Sequence, residues 1–150
     1  MRFVIQRVSD AILKIDNAIF SRIEKGFVVL VGVEEADTIE DADWLCNKLV
    51  NLRVFSDAND KLNLSIQDMK GDVLLVSQFT LFASTKKGNR PSFIKSAKPE
   101  IAIPLYENCI SLLSKLLNKP IKTGKFGADM KITLTNDGPV TILIDSKNRE

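Results

Sequence analysis

Apolar and polar residues alternate through Phe3–Val8, Ala11–Asp16 and Ala18–Ile23, and then give way to the apolar run Phe27–Val33. A period of two places alternate side chains on opposite faces, so the first third of the chain reads as strands. Turns are expected near Ser9, Asn17 and Gly26. The period then changes. Ala42, Leu45, Leu49 and Leu52 step by three, four and three, one stripe of an amphipathic helix, with Thr38 as its N-cap and Asp41 three residues later. Strand character returns at Arg53–Phe55, breaks at Asp57-Ala58-Asn59-Asp60 and resumes over Asp72–Phe82. A second helix carries Leu105, Cys109, Leu112 and Leu116 on one face. Pro104 fits its first turn, where a missing N–H costs nothing. Ile121–Thr123, Lys131–Thr135 and Val140–Asp145 close the chain as strands. Two helices among about eight strands predict a sheet-rich mixed α/β fold with the helices packed on one side. The strand-helix-strand passages in the middle predict crossovers between parallel neighbours.

With 150 residues, no repeat and no Gly/Ser linker, residues 1–150 are expected to form one domain. A chain of that size builds a core without disulfide or metal staples. Its apolar runs fall far short of a membrane span, and the charged, alternating start shows no signal peptide. No membrane association and a cytoplasmic location are expected. The absence of histidine changes the picture more: there is no Ser-His-Asp or Cys-His nucleophile and no imidazole metal site. Two cysteines, Cys46 and Cys109, are too few for a zinc site of the usual kind and lie on the helical stripes or beside them as buried thiols. No metal or cofactor is expected, and any catalysis must use hydroxyls, carboxylates, lysines, backbone amides or the substrate itself. The formal charge of +2 marks no nucleic-acid binder, although Lys86-Lys87-Gly88-Asn89-Arg90 and the spaced Lys115, Lys119, Lys122, Lys125 and Lys131 each offer a local basic face. Solvated loops and helix ends explain the same residues.

Three segments could carry chemistry. In Asp72–Phe82 the unbroken run Val73–Val76 fits a strand covered on both faces, after which Ser77, Gln78 and Thr80 turn polar. A strand emerging there would leave backbone amides without ladder partners, able to hold an oxyanion; the same side chains can equally satisfy nearby backbone. Ser77 and Thr80 as nucleophiles lack an adjacent base. In Leu134–Ile142, Asn-Asp-Gly between alternating apolar runs signals a hairpin, but Pro139 removes a donor where the return strand should begin. An edge position or a cis Gly138–Pro139 bond would accommodate it. In Thr123–Met130 the two glycines fit neither phosphate-loop pattern, so an ordinary loop with Phe126 and Met130 packed inward is the reading.

Together these residues resemble the D-aminoacyl-tRNA deacylase family of the bacterial and eukaryotic cytosolic type. The carriers are SQFTL at Ser77–Leu81, KGNRPSF at Lys87–Phe93, TGKFGADM at Thr123–Met130 and NDGPVT at Asn136–Thr141. RFVIQRVS at Arg2–Ser9, GVEEADTIEDADWL and NLRVF also fit, so the likeness runs from Met1 to about Ser146 in the family's order. Lys125 stands where arginine is more frequent, and Asp10-Ala11-Ile12-Leu13 departs from the usual wording. The resemblance implies two β-sheets with two helices on one side, in β/β/α layers, and a carboxylic ester hydrolase that edits aminoacyl-tRNA. Its substrate would be the ester of a D-amino acid on the terminal adenosine of tRNA, with mischarged glycyl-tRNA as a second one. It further implies an obligate homodimer with composite sites, in which a cis Gly138-Pro139 pair enters the partner's pocket. Ser77, Gln78, Phe79 and Thr80 would hold the terminal adenosine and the reacting carbonyl, Arg7 would support the Gly-Pro loop, and Phe126 and Met130 would line the pocket.

On that reading an L substituent clashes with the Gly-Pro main chain, a D substituent points to solvent, and glycine leaks through because it has nothing to exclude. The ribose 2′-hydroxyl would help activate water, and backbone amides near Gln78 and Phe79 would hold the oxyanion. Thr80 as protein nucleophile, a non-enzymatic nucleic-acid-binding protein of the same fold, and a bare dimerisation module are the alternatives.

Overall fold

The computed structural model describes residues 1–149. Its elements run β1 (Arg2–Ile15), β2 (Ala18–Ile23), β3 (Gly26–Gly32), α1 (Ile39–Asn51), β4 (Phe55–Ser56), β5 (Leu62–Leu64), β6 (Asp72–Ser77), a 3₁₀ turn (Phe79–Phe82), α2 (Pro99–Leu116), β7 (Lys122–Thr123) and β8 (Lys131–Asp145). Six strands form one sheet in the order β2-β1-β3-β6-β7, with β8 on the other edge of β1, while β4 and β5 make a small separate ribbon. The expected crossovers are present: β3 pairs parallel to β6 across α1, and β6 parallel to β7 across α2.

The large sheet bends onto itself, and two cores result. On the helix side, Phe3, Ile5, Phe27, Val29, Val31, Val73 and Leu75 meet Ala42, Leu45 and Leu49 of α1 and Ala102, Leu105 and Cys109 of α2. On the far side, Val28, Leu74 and Val76 meet Val8, Ala11, Leu13 and Ile23, which the second half of β1 and β2 fold across them. The result is two β layers and one α layer. Val73–Val76 therefore feeds both cores alternately, as a run covered on both faces requires. Both cysteines are buried free thiols.

The crease replaces two turns expected from the sequence. Residues 2–15 are one strand with no reversal at Ser9, and both halves of β8 pair antiparallel with it. Asn136 faces Val8 and Thr141 faces Gln6, so Asp137–Val140 stand opposite Arg7 alone. Asn-Asp-Gly is thus no hairpin; the chain continues in its original direction after bulging out. Extra residues on one strand sharpen its bend, which a sheet needs where it changes layer. Ile132 and Leu134 before the bulge pack on the far core, and Val140, Ile142 and Ile144 after it on the helix-side core.

The helices follow their stripes with one correction. Asp41 accepts the Thr38 N–H at 2.9 Å at the start of α1. In α2 the first-turn proline is Pro99, and Pro104 lies inside the helix on its exposed face. There it removes one solvent-side hydrogen bond, while Ala102, Leu105, Tyr106, Cys109 and Leu113 stay buried.

Candidate active site

The parallel strands β3 and β6 end side by side, and a cavity of about 280 Å³ opens beyond their carboxyl ends. Ligands bind there in mixed sheets because the ladder stops and main-chain groups become available. Val31, Val33, Val76 and Ser77 line it from the strand ends, Ala102 and Tyr106 from α2, and Phe126, Gly127, Ala128 and Met130 from the segment before β8. Gln78 and Phe79 form the rim. Five of the nine residues expected at a site thus line one pocket: Ser77, Gln78, Phe79, Phe126 and Met130.

The strand turns into a 3₁₀ helix at this rim, which decides the available donors. The Gln78 amide bonds the Val31 carbonyl at 2.7 Å, so it still belongs to the sheet. The amides of Phe79 and Thr80 are the first two of the turn and have no acceptor within it. The free amide pair is therefore displaced by one residue from the Gln78–Phe79 pair anticipated from the sequence. Thr80 is exposed, does not line the cavity, and its Oγ1 accepts a hydrogen bond from Gln78 Nε2 at 2.6 Å. No base adjoins it.

Among the described residues, Tyr106 is the one ionisable side chain lining the cavity, and helical spacing alone gave no sign of it. Burial pushes its phenol up from the ordinary tyrosine range, against the pull of the Gly124 amide. Its hydroxyl donates to the Leu75 carbonyl at 2.7 Å, and its ring centre lies 6.3 Å from that of Phe126. A protonated phenol pointing into the sheet braces the wall and takes no proton. Among the described residues, no group of three or more His, Cys, Asp or Glu is placed to hold a metal ion. No helix among them is long and apolar enough to cross a membrane.

Arg7, Gly138 and Pro139 form a second group away from this cavity. The Gly138–Pro139 peptide is cis, and both residues are exposed on the bulge of β8. Arg7 is buried beneath them. Its Nε donates to the Asp137 carbonyl at 3.0 Å and lies 3.3 Å from the Asp137 carboxylate, while Nη1 donates to the Val54 carbonyl. The guanidinium thus ties the bulge to the loop after α1. Gly138 has φ +124°, a conformation side chains rarely adopt, and a Cβ there would stand 2.9 Å from Arg7 Nη2. The tip is exposed, carries no side chain at the glycine, and neither residue lines the cavity of its own chain.

These features match a known group of proteins. The family described as D-Tyr-tRNA(Tyr) deacylase matches residues 4–145. Proteins named D-aminoacyl-tRNA deacylase from Bacteroides fragilis and Flavobacterium johnsoniae are 62% and 59% identical, each over the full length of both chains. A solved structure titled c-Myc DNA Unwinding Element Binding Protein is 38% identical with a TM-score of 0.91, covering 97% of this chain and 98% of its own. Another, of "a probable eukaryotic D-amino acid tRNA deacylase", shares the fold with a TM-score of 0.82 at 16% identity, covering 95% of this chain and 97% of its own. The chain belongs to the D-Tyr-tRNA(Tyr) deacylase family.

Proposed function

We propose that this chain hydrolyses the ester between a D-amino acid and the terminal adenosine of tRNA, using main chain for selection and a substrate hydroxyl for proton transfer. The observation that carries the reading is the make-up of the cavity: its one ionisable side chain, Tyr106, is bound to the Leu75 carbonyl. A site with no base of its own needs one from the substrate. The ribose 2′-hydroxyl lies beside the ester, takes a proton from the attacking water and passes one to the departing 3′-oxygen. One water is consumed, and a free D-amino acid and a 3′-hydroxyl are released. The Phe79 and Thr80 amides hold the tetrahedral oxyanion; such a donor typically contributes about 2.7–4 kcal/mol.

Selection comes from the Gly138-Pro139 tip of a second copy entering the pocket. Its exposure, its Arg7 brace and its absence from the lining of its own cavity support that role, as do the outer edge of β8, unpaired among the described residues, and the exposed Leu143 on it. An L side chain meets the tip, a D side chain does not, and glycine passes. The chain works as a homodimer on this reading.

Hydrolysis of D-Tyr-tRNA and L-Tyr-tRNA tests the activity: equal rates, or none on the D form, refute it. A tRNA ending in 2′-deoxyadenosine, aminoacylated on its 3′-oxygen, tests the mechanism. Hydrolysis unchanged on that substrate, together with near-complete loss in folded Thr80→Ala, would establish Thr80 as nucleophile instead. A second reading, nucleic-acid binding without turnover, is favoured by the 38% identical structure whose title names DNA binding. Salt-sensitive binding that ignores the aminoacyl ester would support it.

A further inference from the structure

The residues after the 3₁₀ turn form a basic loop fastened to the rim of the cavity. Ser84 and Ser92 exchange two backbone hydrogen bonds, at 2.8 and 2.9 Å, and close a loop over Thr85–Pro91. Lys86, Lys87 and Arg90 stand on it exposed, and Gly88 turns its tip with φ +78°. The returning chain is tied to the site. The Phe93 ring meets the Phe79 ring edge-on with centres 5.0 Å apart, and Ser96 Oγ donates to the Phe79 carbonyl at 2.8 Å. The Ala97 amide bonds the Val33 carbonyl at 2.9 Å, and Ala97 itself lines the cavity.

The charge of this segment is one-sided. From Ala83 to Lys98 it holds five of the chain's 21 Lys and Arg and none of its 19 Asp and Glu, so the remainder of the chain is net negative. None of the five enters an ion pair among the described residues. A solvated loop accounts for scattered lysines, but not for an acid-free cluster pinned to the mouth of a pocket in an otherwise acidic molecule. Phosphates upstream of a nucleotide seated in the cavity would pass over this rim, beside the half-exposed Phe79.

We propose that Lys86, Lys87 and Arg90 grip the phosphates of the unpaired 3′ end of the RNA whose terminal nucleotide enters the cavity. The inference rests on the substrate class proposed above. The test compares the wild type with the triple variant Lys86→Ser/Lys87→Ser/Arg90→Ser on three ligands: D-aminoacyl-tRNA, D-aminoacyl-adenosine with no upstream phosphate, and uncharged tRNA. With three single-strand contacts removed, the slope of log affinity for uncharged tRNA against log salt becomes shallower by about 2. Between 50 and 200 mM salt the wild type should therefore lose roughly 15- to 20-fold more affinity than the variant. KM for D-aminoacyl-tRNA rises with kcat retained, and hydrolysis of the adenosine ester stays at the wild-type rate.

Unchanged affinity and slope overturn the proposal. Equal losses on the tRNA and adenosine esters overturn it too, since the residues would then serve the pocket or the fold. A shift of the monomer–dimer equilibrium in the variant would make the loop part of a subunit interface instead. If the wild type hydrolyses neither ester, the deacylase reading fails, while the salt slope on uncharged tRNA still decides the loop.

Discussion

Replacing Arg7 by lysine keeps the charge and removes the fork. The arginine joins the Val54 and Asp137 carbonyls through different nitrogens, and one ammonium nitrogen cannot bridge both in the same way. A charge-assisted hydrogen bond contributes about 1.5–3 kcal/mol. Val54 is buried, so its orphaned carbonyl puts that cost on stability; the Asp137 side is more open, and water can replace the lost donor. The expected loss in Arg7→Lys is about 1.5–3 kcal/mol, or roughly 3–12 °C in Tm for a domain of this size. Urea unfolding measures it. The bulge carrying Gly138-Pro139 would lose its brace with that bond, so the ratio of kcat/KM for D- over L-aminoacyl-tRNA should fall at least about tenfold, equivalent to about 1.4 kcal/mol. Val50→Ala, on the buried face of α1, supplies a variant of similar stability loss that should keep the ratio. Wild-type selectivity in Arg7→Lys, or the same drop in Val50→Ala, would refute the assignment of Arg7 as the brace of the selecting tip.

Gly26→Ala should abolish soluble folded protein, because its Cβ would stand 1.9 Å from the Asp72 carbonyl oxygen across the β3–β6 pair. Gly88→Ala, with nothing within 4 Å but φ +78°, should cost only about 1 kcal/mol by urea titration. Tyr106→Phe should lose about 0.5–1.5 kcal/mol and leave the pH profile of hydrolysis unchanged, since the Leu75 carbonyl keeps the Gly124 amide at 3.1 Å. Stability should fall on acidification. At Asp41 burial raises the carboxyl pKa, but hydrogen bonds from Lys147, Thr38 and Ser146 outweigh it and hold the group well below the usual range; Asp145 is lowered likewise by Arg2. A lowered folded pKa gives stability that is full above the unfolded value, about 3.9, and is lost as pH falls through the folded one. The urea midpoint should therefore drop below about pH 4, and less steeply in Asp41→Asn.

The sequence disclosed the local parts of this fold and hid the relations between distant ones. Val73–Val76 announced a strand covered on two faces, and the stripes of α1 and α2 announced which sides face inward. Pro104 misled because a proline on a solvent-facing turn looks the same in sequence as one at a helix start. Ser9 and Asn136–Gly138 read as reversals because a corner and a hairpin both need residues that leave regular pairing. Which of the two forms depends on the strand lying opposite, here β1 along its whole length. Ser77, Gln78 and Phe79 were legible as a polar break after an apolar run. Ala102 and Tyr106 were not, since their spacing is that of any core-facing helix residue. Arg7, Gly138 and Pro139 could not be joined to the cavity by sequence logic or by one chain, because none of the three lines the pocket of its own chain.

The inert lining of the cavity also bears on how such a protein is detected. Fluorophosphonate tags react with a hydroxyl sharpened by a neighbouring base, and alkylating agents react with accessible thiolates or imidazoles. The lining holds no base beside Ser77, Thr80 Oγ1 accepts a hydrogen bond from Gln78, both thiols are buried, and imidazole is absent from the chain. Covalent inventories of cellular hydrolases should therefore pass over this protein, and reversible mimics of the esterified nucleoside are the reagents suited to find it.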